Sequence, residues 1–188
     1  MNLTLTDQAP EQASVTGVTA DPLFYATSRC ELGEVLVARS SEGVCAVLIG
    51  DTDEELEADL AARFPTSTLH ADEIAVRDDL AKVVRFMEKP AQGLDLILDM
   101  RGTPFQRRVW EGLRAIAVGK TVTYVELARS ISPLSSPRAV ARACAANPIA
   151  LAIPCHRVIR GSGELGGYRW GGERKRELLA IEGQRQRR

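Results

Sequence analysis

The sequence lacks several patterns that would assign a class of protein at once. No stretch approaches about 18 consecutive apolar residues, and the polar start lacks the basic-then-apolar order of a signal peptide. We therefore expect no membrane-spanning helix and a cytoplasmic location. The four cysteines contain no C-x-x-C pair and only two histidines accompany them, so we expect neither a structural zinc site nor a disulfide framework and assign no metal and no cofactor.

The composition is that of a globular protein with an uneven charge distribution. With 188 residues, 45% of them apolar and 26% charged, the chain forms one ordinary domain or two small ones. Residues 1–100 hold 7 Lys and Arg against 19 Asp and Glu, whereas residues 101–188 hold 17 against 6. Net charges of opposite sign in the two halves indicate two modules, and the basic module either binds a polyanion or simply attracts the acidic module. Charge alone leaves both possibilities open.

The acidic part predicts a small α+β scaffold domain over residues 21–93. Residues 1–20 show no periodicity and read as a flexible lead-in. Three β-rich runs separated by turn-like pieces predict an antiparallel sheet: Leu23 to Cys30, Val35 to Arg39 and Val44 to Ile49. Two helices are expected next, the first opening at Asp51 and the second marked by an apolar stripe at helical spacing.

The basic part predicts a mostly helical domain over residues 97–188. Thr103 followed by Pro104 is typical of a helix start. Thr123 and Glu126 form a capping-box pattern for a short helix through Ile131, and Ser136-Pro137 opens a further helix through Ala146 after about four linking residues. Two short helices joined in this way resemble a helix-turn-helix of the winged-helix type, although for an isolated helix hairpin plain packing of the two helices is the favoured interpretation.

The run Pro154-Cys155-His156-Arg157 is the most informative stretch for chemistry. A lone cysteine is usually a small buried hydrophobe, and a lone histidine is usually structural. Neighbouring side chains point in different directions on a helix or strand, so this pair couples only at a tight turn or through a water. His156, Arg157 and Arg160 supply the base and the positive charge that lower a thiol pKa, which favours a nucleophilic cysteine over an inert one.

At these residues the sequence resembles the O6-alkylguanine-DNA alkyltransferases, also called methylated-DNA–protein-cysteine methyltransferases. The resemblance extends from about Leu23 to Gly183, and residues 167–171 are similar to the C-terminal part of the adaptive-response (Ada) protein. Four motifs carry it: Pro154 to Val158, Asn147-Pro148, Arg138-Ala139-Val140, and Leu178 to Gly183. The family implies an α+β N-terminal domain joined to a helical DNA-binding domain.

The resemblance implies a protein that takes an alkyl group from O6 of guanine onto its own cysteine, once per molecule. Cys155 would be the nucleophile, His156 the general base acting through a water, and Glu182 the group that orients the imidazole. Asn147 would tie the helix-turn-helix to the active turn. O4-alkylthymine is a second conceivable substrate.

The resemblance also implies binding of double-stranded DNA through the minor groove, with the alkylated guanine flipped out of the stack. Arg138 would fill the gap, although without the family a phosphate contact is the simpler interpretation. Tyr124 would donate a hydrogen bond to the ring. The remaining contacts to DNA or substrate are expected from Ala139, Arg157, Val158, Tyr168 and Arg169. We expect a monomer that has no membrane partner.

A rival hypothesis comes from a different functional class. A DNA-binding or lesion-recognition regulator without alkyl transfer, using Cys155 as a redox sensor, would also need a basic helical domain and a reactive thiol. The combination of Cys155, His156, Asn147 and Glu182 favours transfer, because relatives that do not transfer typically lack the cysteine. The N-terminal half offers only Cys30, Cys45 and His70, so the zinc site of some family members is not expected here.

Overall fold

A computed structural model describes residues 21–184, so the predicted lead-in over residues 1–20 lies outside the described residues. The N-terminal half is built on a four-stranded sheet in the order β3-β2-β1-β4. Its strands are β1 (Leu23–Cys30), β2 (Gly33–Arg39), β3 (Val44–Gly50) and β4 (Leu69–Ala71). The three predicted strands pair antiparallel as expected. The short β4 joins β1 in parallel, a pairing the sequence did not predict.

Two helices cover this sheet. Helix α1 spans Asp53–Arg63 and helix α2 spans Glu73–Glu88. Thr52, and not Asp51 as expected, caps α1, because its hydroxyl accepts a hydrogen bond from the backbone N–H of Glu55. Asp72 caps α2 in the same way. The apolar stripe of α2 is buried against the sheet as predicted, apart from Val84, which is only partly covered.

The second half is mostly helical, as the pattern of caps predicts. Its elements are α3 (Pro104–Arg114), β5 (Val122–Thr123), α4 (Tyr124–Ile131), α5 (Pro137–Ala145), β6 (Val158–Ile159) and α6 (Gly172–Gln184). Thr103 and Thr123 both form complete capping boxes, and Ser136 caps α5. Together with the sheet of the first half, these helices make the chain an α+β protein.

Helices α4 and α5 form the predicted pair, joined by residues 132–136. Helix α3 packs against both of them. Gly112 of α3 leaves room for this approach, since a Cβ there would lie 3.2 Å from Leu127 Cδ1 of α4. The indole N–H of the buried Trp110 donates to the carbonyl oxygen of Ala143 at 2.9 Å. This bond fixes the C-terminal end of α5 against α3.

The edge strand β3 connects the two halves. The backbone N–H of Val47 donates to the carbonyl of Pro148 at 3.0 Å, and that of Ala150 donates to the carbonyl of Val47 at 2.9 Å. The buried apolar residues form one cluster that runs from the sheet into the helices. The boundary between units at residues 93–97 stays a prediction. Among residues 21–184, no helix is long and apolar enough to cross a membrane.

Candidate active site

The Cys155-His156-Arg157 run forms a single turn of 3₁₀ helix, followed directly by β6. The chain reaches this turn from the segment attached to β3. Leu151, within that segment, adopts a left-handed backbone with φ of 67°, a conformation that is unfavourable for a branched side chain. The tight turn is one of the geometries that the sequence required for neighbouring cysteine and histidine side chains to act together.

The side chain of Asn147 holds the Cys155 turn in place through three hydrogen bonds. Its Nδ2 donates to the carbonyl of Ile153 at 2.8 Å and to Sγ of Cys155 at 3.4 Å, while its Oδ1 accepts from the N–H of Ile149 at 2.9 Å. The side chain is fully buried. It follows α5 by two residues, so it links the end of the helix pair to the thiol.

The thiol of Cys155 lies at an open cleft of about 540 Å³. Its residue is 6% exposed. Burial raises the pKa of Cys155, while the hydrogen bond from Asn147 and the charge of Lys175 act in the opposite direction. The sequence predicted a lowered pKa through the neighbouring basic residues, and this prediction is wrong, because burial outweighs the opposing groups and the positive charge among them is Lys175. The thiol therefore keeps its proton until a base removes it.

His156 is fully buried and faces Glu182. Its Nε2 lies 2.9 Å from Oε1 of the carboxylate. Burial tends to raise the pKa of Glu182, but hydrogen bonds from His156 and Arg157 outweigh it and lower that pKa to about 2. Burial likewise lowers the pKa of His156, against the influence of Glu182. The pair thus combines an ionised carboxylate with a neutral imidazole.

This pairing determines which nitrogen of His156 can act as a base. An ionised carboxylate only accepts hydrogen bonds, so Nε2 of the imidazole carries the proton that it donates to Glu182. Nδ1 then carries the lone pair. Among the described residues, Nδ1 has no hydrogen-bond partner although it is buried. His156 is therefore a neutral base with an unused lone pair on Nδ1, and it directly follows Cys155 in the sequence.

The inward face of α6 supplies the polar groups around the turn. Lys175, Leu178 and Glu182 are all buried along it. Nζ of Lys175 donates to the carbonyls of Val158 at 2.6 Å, Leu165 at 2.5 Å and Gly167 at 3.4 Å. It therefore ties β6 to the loop that leads to α6. Burial lowers the pKa of this lysine.

The cleft is bounded by α5 on one side and by the loop before α6 on the other. Its lining residues are Tyr124, Pro137, Arg138, Ala141, Cys144, Ala145, Cys155, Arg160, Gly167, Tyr168 and Arg169. Burial raises the pKa of Tyr124 to about 12 and that of Tyr168 well above its usual value, so both phenols keep their protons. The hydroxyl of Tyr168 is buried and has no partner within residues 21–184.

Comparison with known proteins agrees with this geometry. The model of the 6-O-methylguanine DNA methyltransferase DNA-binding domain matches residues 104–184. A methylated-DNA–protein-cysteine methyltransferase of Candida albicans is 36% identical over 171 residues, which are 86% of this chain and 97% of that protein. The chain belongs to the methylated-DNA–protein-cysteine methyltransferase family.

Two further relatives show how this family member compares in length and in fold. The Escherichia coli K12 bifunctional transcriptional activator/DNA repair enzyme Ada is 45% identical over 164 residues, 87% of this chain, but the chain spans only 46% of that protein. A crystal structure of Mycobacterium tuberculosis OGT in complex with DNA superposes with a TM-score of 0.67 at 32% identity, covering 86% of this chain and 94% of that one.

The structure brings together most of the site residues that the family motifs indicate. Cys155, Tyr124, Arg138, Tyr168 and Arg169 all line the cleft. Two of the residues expected at the catalytic centre contact the active turn without lining the cleft: Asn147 contacts Cys155, and Glu182 contacts the ring of His156. Their chemical roles stay proposals.

Three expected contact residues do not reach the cleft. Arg157 is buried, because its guanidinium donates to both oxygens of Glu182 and to the carbonyl of Ile116. Each nitrogen of the Arg157 guanidinium thus donates to a group of the protein itself. Val158 is fully buried, and neither it nor Ala139 belongs to the cleft lining found among the described residues. Contacts of these three residues with DNA or substrate stay predictions.

Sequence reasoning also missed residues at this site. Lys175 was overlooked because lysine is seldom buried. Its signal was the spacing of seven residues to Glu182, which places both on one helical face. Cys144 lines the cleft beside Cys155, and burial raises its pKa to about 12.

Proposed function

We propose that this protein repairs DNA by moving an alkyl group from O6 of guanine to Sγ of its own Cys155. The thiol at the cleft, next to an imidazole whose Nε2 is bound to Glu182, is the observation that carries the proposal. The thiol proton passes to Nδ1 of His156, directly or through a water. The sulfur then attacks the alkyl carbon in line with the breaking C–O6 bond.

The departing guanine must gain a proton as its oxygen gains charge. Two phenols with raised pKa values line the cleft, and a group that keeps its proton in the resting site can donate a hydrogen bond to a developing oxyanion. Tyr124 was the donor expected from the family. Tyr168 is an equally placed candidate because its buried hydroxyl has no partner among residues 21–184. The guanine takes its proton from the phenol that donates to it, and the proton that His156 took from the thiol replaces it by way of water. The products are a thioether on Cys155 and an unmodified guanine, so each molecule reacts once.

The proposed substrate is alkylated guanine in double-stranded DNA, approached from the minor groove. A base inside a duplex cannot reach a buried thiol, and flipping it out costs a few kcal/mol. Helix α5 presents exposed Arg138 and Arg142 among small alanines, which suits close approach to a narrow groove. The relative from M. tuberculosis was solved in complex with DNA, which supports DNA as the partner. Action as a monomer and a cytoplasmic location stay predictions.

A regulator that senses oxidants through Cys155 is the rival hypothesis. Oxidant-sensing cysteines are exposed and have low pKa values. Cys155 is buried, and its burial raises its pKa, so the site fits alkyl transfer from a substrate enclosed in the cleft better than collision with a dissolved oxidant.

Mass measurement after incubation with a duplex that contains one O6-methylguanine tests the proposal. Transfer predicts a gain of about one CH2 on the peptide that contains Cys155, at most once per molecule. A Cys155→Ala variant is expected to show no gain. A Cys144→Ala variant serves as the matched control for the second thiol of the cleft and should react like the original chain. Repeated turnover, or modification at Cys144 instead, would contradict the proposal.

A further inference from the structure

One wall of the cleft is held by the acidic half of the chain. Arg169 lines the cleft, and its Nη2 donates to Oδ1 of Asp59 at 2.5 Å. Asp59 lies in α1, 110 positions earlier in the sequence. Its other oxygen accepts from Nε of Arg63 at 3.1 Å, which orients the carboxylate toward the loop. An acidic residue outside the predicted DNA-binding half thereby contacts the cleft wall.

Side-chain hydrogen bonds hold the loop that carries Arg169 on both sides of this arginine. Lys175 donates to the carbonyls of Leu165 and Gly167 before it, and Nη1 of Arg174 donates to the carbonyl of Trp170 after it. Cβ atoms added at Gly161, Gly163, Gly167 or Gly171 would meet nothing within 4 Å, so no group of the described residues packs against the loop at these four positions. Within residues 21–184, Asp59 is the hydrogen-bond partner found for the Arg169 guanidinium. Without Asp59, this side chain would be free to change rotamer.

The partial exposure of the Arg169–Asp59 ion pair indicates that its main role is not to stabilise the folded state. The side chains of Arg169 and Asp59 are 40% and 25% exposed, and partly exposed ion pairs contribute little to folding because water and salt screen them. Such a pair does, however, fix the direction of a long, flexible side chain, which here is that of Arg169. The direction of this side chain sets how far the cleft wall extends.

We propose that Asp59 is a positioning residue that, by holding Arg169, limits the size of the alkyl group the cleft admits. This inference rests on the proposed function, because the size limit concerns the group transferred to Cys155. Asp59 itself does not line the cleft, and its contact with the lining is the one to Arg169. With Arg169 held, methyl groups fit and bulky groups are resisted. With Arg169 released, its side chain turns away and bulky groups gain access.

The test compares two free bases, O6-methylguanine and O6-benzylguanine, by the rate at which each alkylates Cys155. In Asp59→Ala, the benzyl-to-methyl rate ratio is expected to rise about threefold to fivefold, the scale of effect available from one partly exposed ion pair. Alanine keeps α1 helical. The matched control is Asp51→Ala, since Asp51 pairs with Arg174 across the same halves but outside the cleft. Its ratio should match the original chain.

Two further variants make the inference falsifiable. If Asp59 acts through Arg169, the double variant Asp59→Ala/Arg169→Ala should have the same ratio as Arg169→Ala alone. Arg63→Gln, which removes the group that orients Asp59, should raise the ratio in the same direction but by less than Asp59→Ala. An unchanged ratio in Asp59→Ala, or additive effects in the double variant, would overturn the positioning role.

Failure of the proposed function is distinguished in the same experiment. If the original chain gains no alkyl mass from either base or from duplex DNA, alkyl transfer itself is refuted. The size limit set by the cleft wall is then tested with iodoacetamide and its N-benzyl derivative, two reagents that alkylate a thiol directly and need no alkylated base. The same rise in the bulky-to-small ratio at the Cys155 peptide in Asp59→Ala would support the role of Asp59, and its absence would refute it.

Discussion

The imidazole of His156 and the carboxylate of Glu182 meet at 2.9 Å, although 26 positions separate them in the sequence. The same carboxylate accepts hydrogen bonds from Arg157 and from the N–H of Gly119. Glu182 therefore performs two tasks. It selects the tautomer of the base, and it neutralises a buried arginine that would otherwise lack a counter-charge. Catalytic geometry and stability depend on one side chain.

Glu182→Gln should lower stability in a manner that depends on pH. The folded-state pKa of Glu182 is about 2, below its ordinary value of 4.5, so the unfolded chain binds the proton more readily. The resulting stabilisation, on the order of 3 kcal/mol, is fully present above about pH 4.5 and is lost as the pH falls toward 2. Urea unfolding at pH 7, 5.5 and 3.5 measures the difference between the two proteins.

The difference in unfolding free energy between the original chain and Glu182→Gln is expected to shrink between pH 5.5 and 3.5. Glu126→Gln is a suitable comparison, because the pKa of Glu126 is also lowered but the side chain lies at an exposed capping box. Its effect should be small at every pH. If the difference in unfolding free energy for Glu182→Gln stayed constant from pH 5.5 to 3.5, the ionisation of Glu182 would not contribute to stability.

Asn147→Ala should destabilise the protein by about 1 to 3 kcal/mol, since it leaves the buried N–H of Ile149 without a partner. The carbonyl of Ile153 loses the bond from Asn147 but keeps the one from the N–H of Cys155 at 2.8 Å. Urea unfolding at pH 7 measures the loss. The same substitution in a Cys155→Ala background should cost nearly as much, because the contact to Sγ is the weakest of the three at 3.4 Å. A much smaller loss in that background would mean that the thiol contact dominates.

Local patterns in the sequence predicted the parts of the fold that local forces determine. The capping boxes at Thr103 and Thr123 mark the starts of α3 and α4, because each needs only a side chain and a backbone N–H three residues away. The three strands followed from β-rich runs that turn-like pieces separate. The parallel β4 was not predictable, since three residues carry too little pattern, and its place depends on where α1 and α2 pack.

The site was predictable only where a motif carried it. Cys155 and His156 are adjacent, so their turn is visible in the sequence. Arg157 was assigned to DNA or substrate from the family motif. Its hydrogen-bond partner Glu182 lies 25 positions away, and nothing in the local sequence reveals this pairing. The buried Lys175 depends on three carbonyls from a segment without regular structure. Such contacts exist only once the chain has folded.

Lys175→Met should slow the reaction of Cys155 with iodoacetamide at pH 7 by about threefold to tenfold. The charge of Lys175 lowers the pKa of Cys155, and one pKa unit corresponds to about tenfold in thiolate population. The three carbonyls would also lose their donor, so backbone amides over residues 160–167 should exchange hydrogen faster. Labelling of the Cys155 peptide and hydrogen exchange measure the two effects.

Lys175→Arg separates charge from geometry in the same assay. It keeps the positive charge but replaces a compact ammonium with a planar, larger group. Thiol reactivity should therefore recover in large part, while protection of the loop stays reduced. Equal reactivity in Lys175→Met and the original chain would show that the lysine only braces the loop.

Arg138→Ala should impair repair of duplex DNA more than reaction with a free alkylated base. Arg138 is exposed on α5 and lines the cleft, so it is placed to occupy the gap that a flipped base leaves. A free base needs no flipping. With protein in excess at saturating concentration, the single-turnover rate on O6-methylguanine duplex should fall about tenfold or more, while the rate on free O6-methylguanine should change less than about twofold.

Arg142→Ala provides the matched control, because Arg142 is an exposed arginine on the same helix that does not line the cleft. Each arginine that contacts a phosphate steepens the dependence of binding on salt by about one counterion. Arg142→Ala should therefore weaken DNA binding and reduce that slope, yet leave the saturated rate on duplex intact. If Arg138→Ala behaved in the same way, its role would be a phosphate contact, and the stack-filling assignment would be wrong.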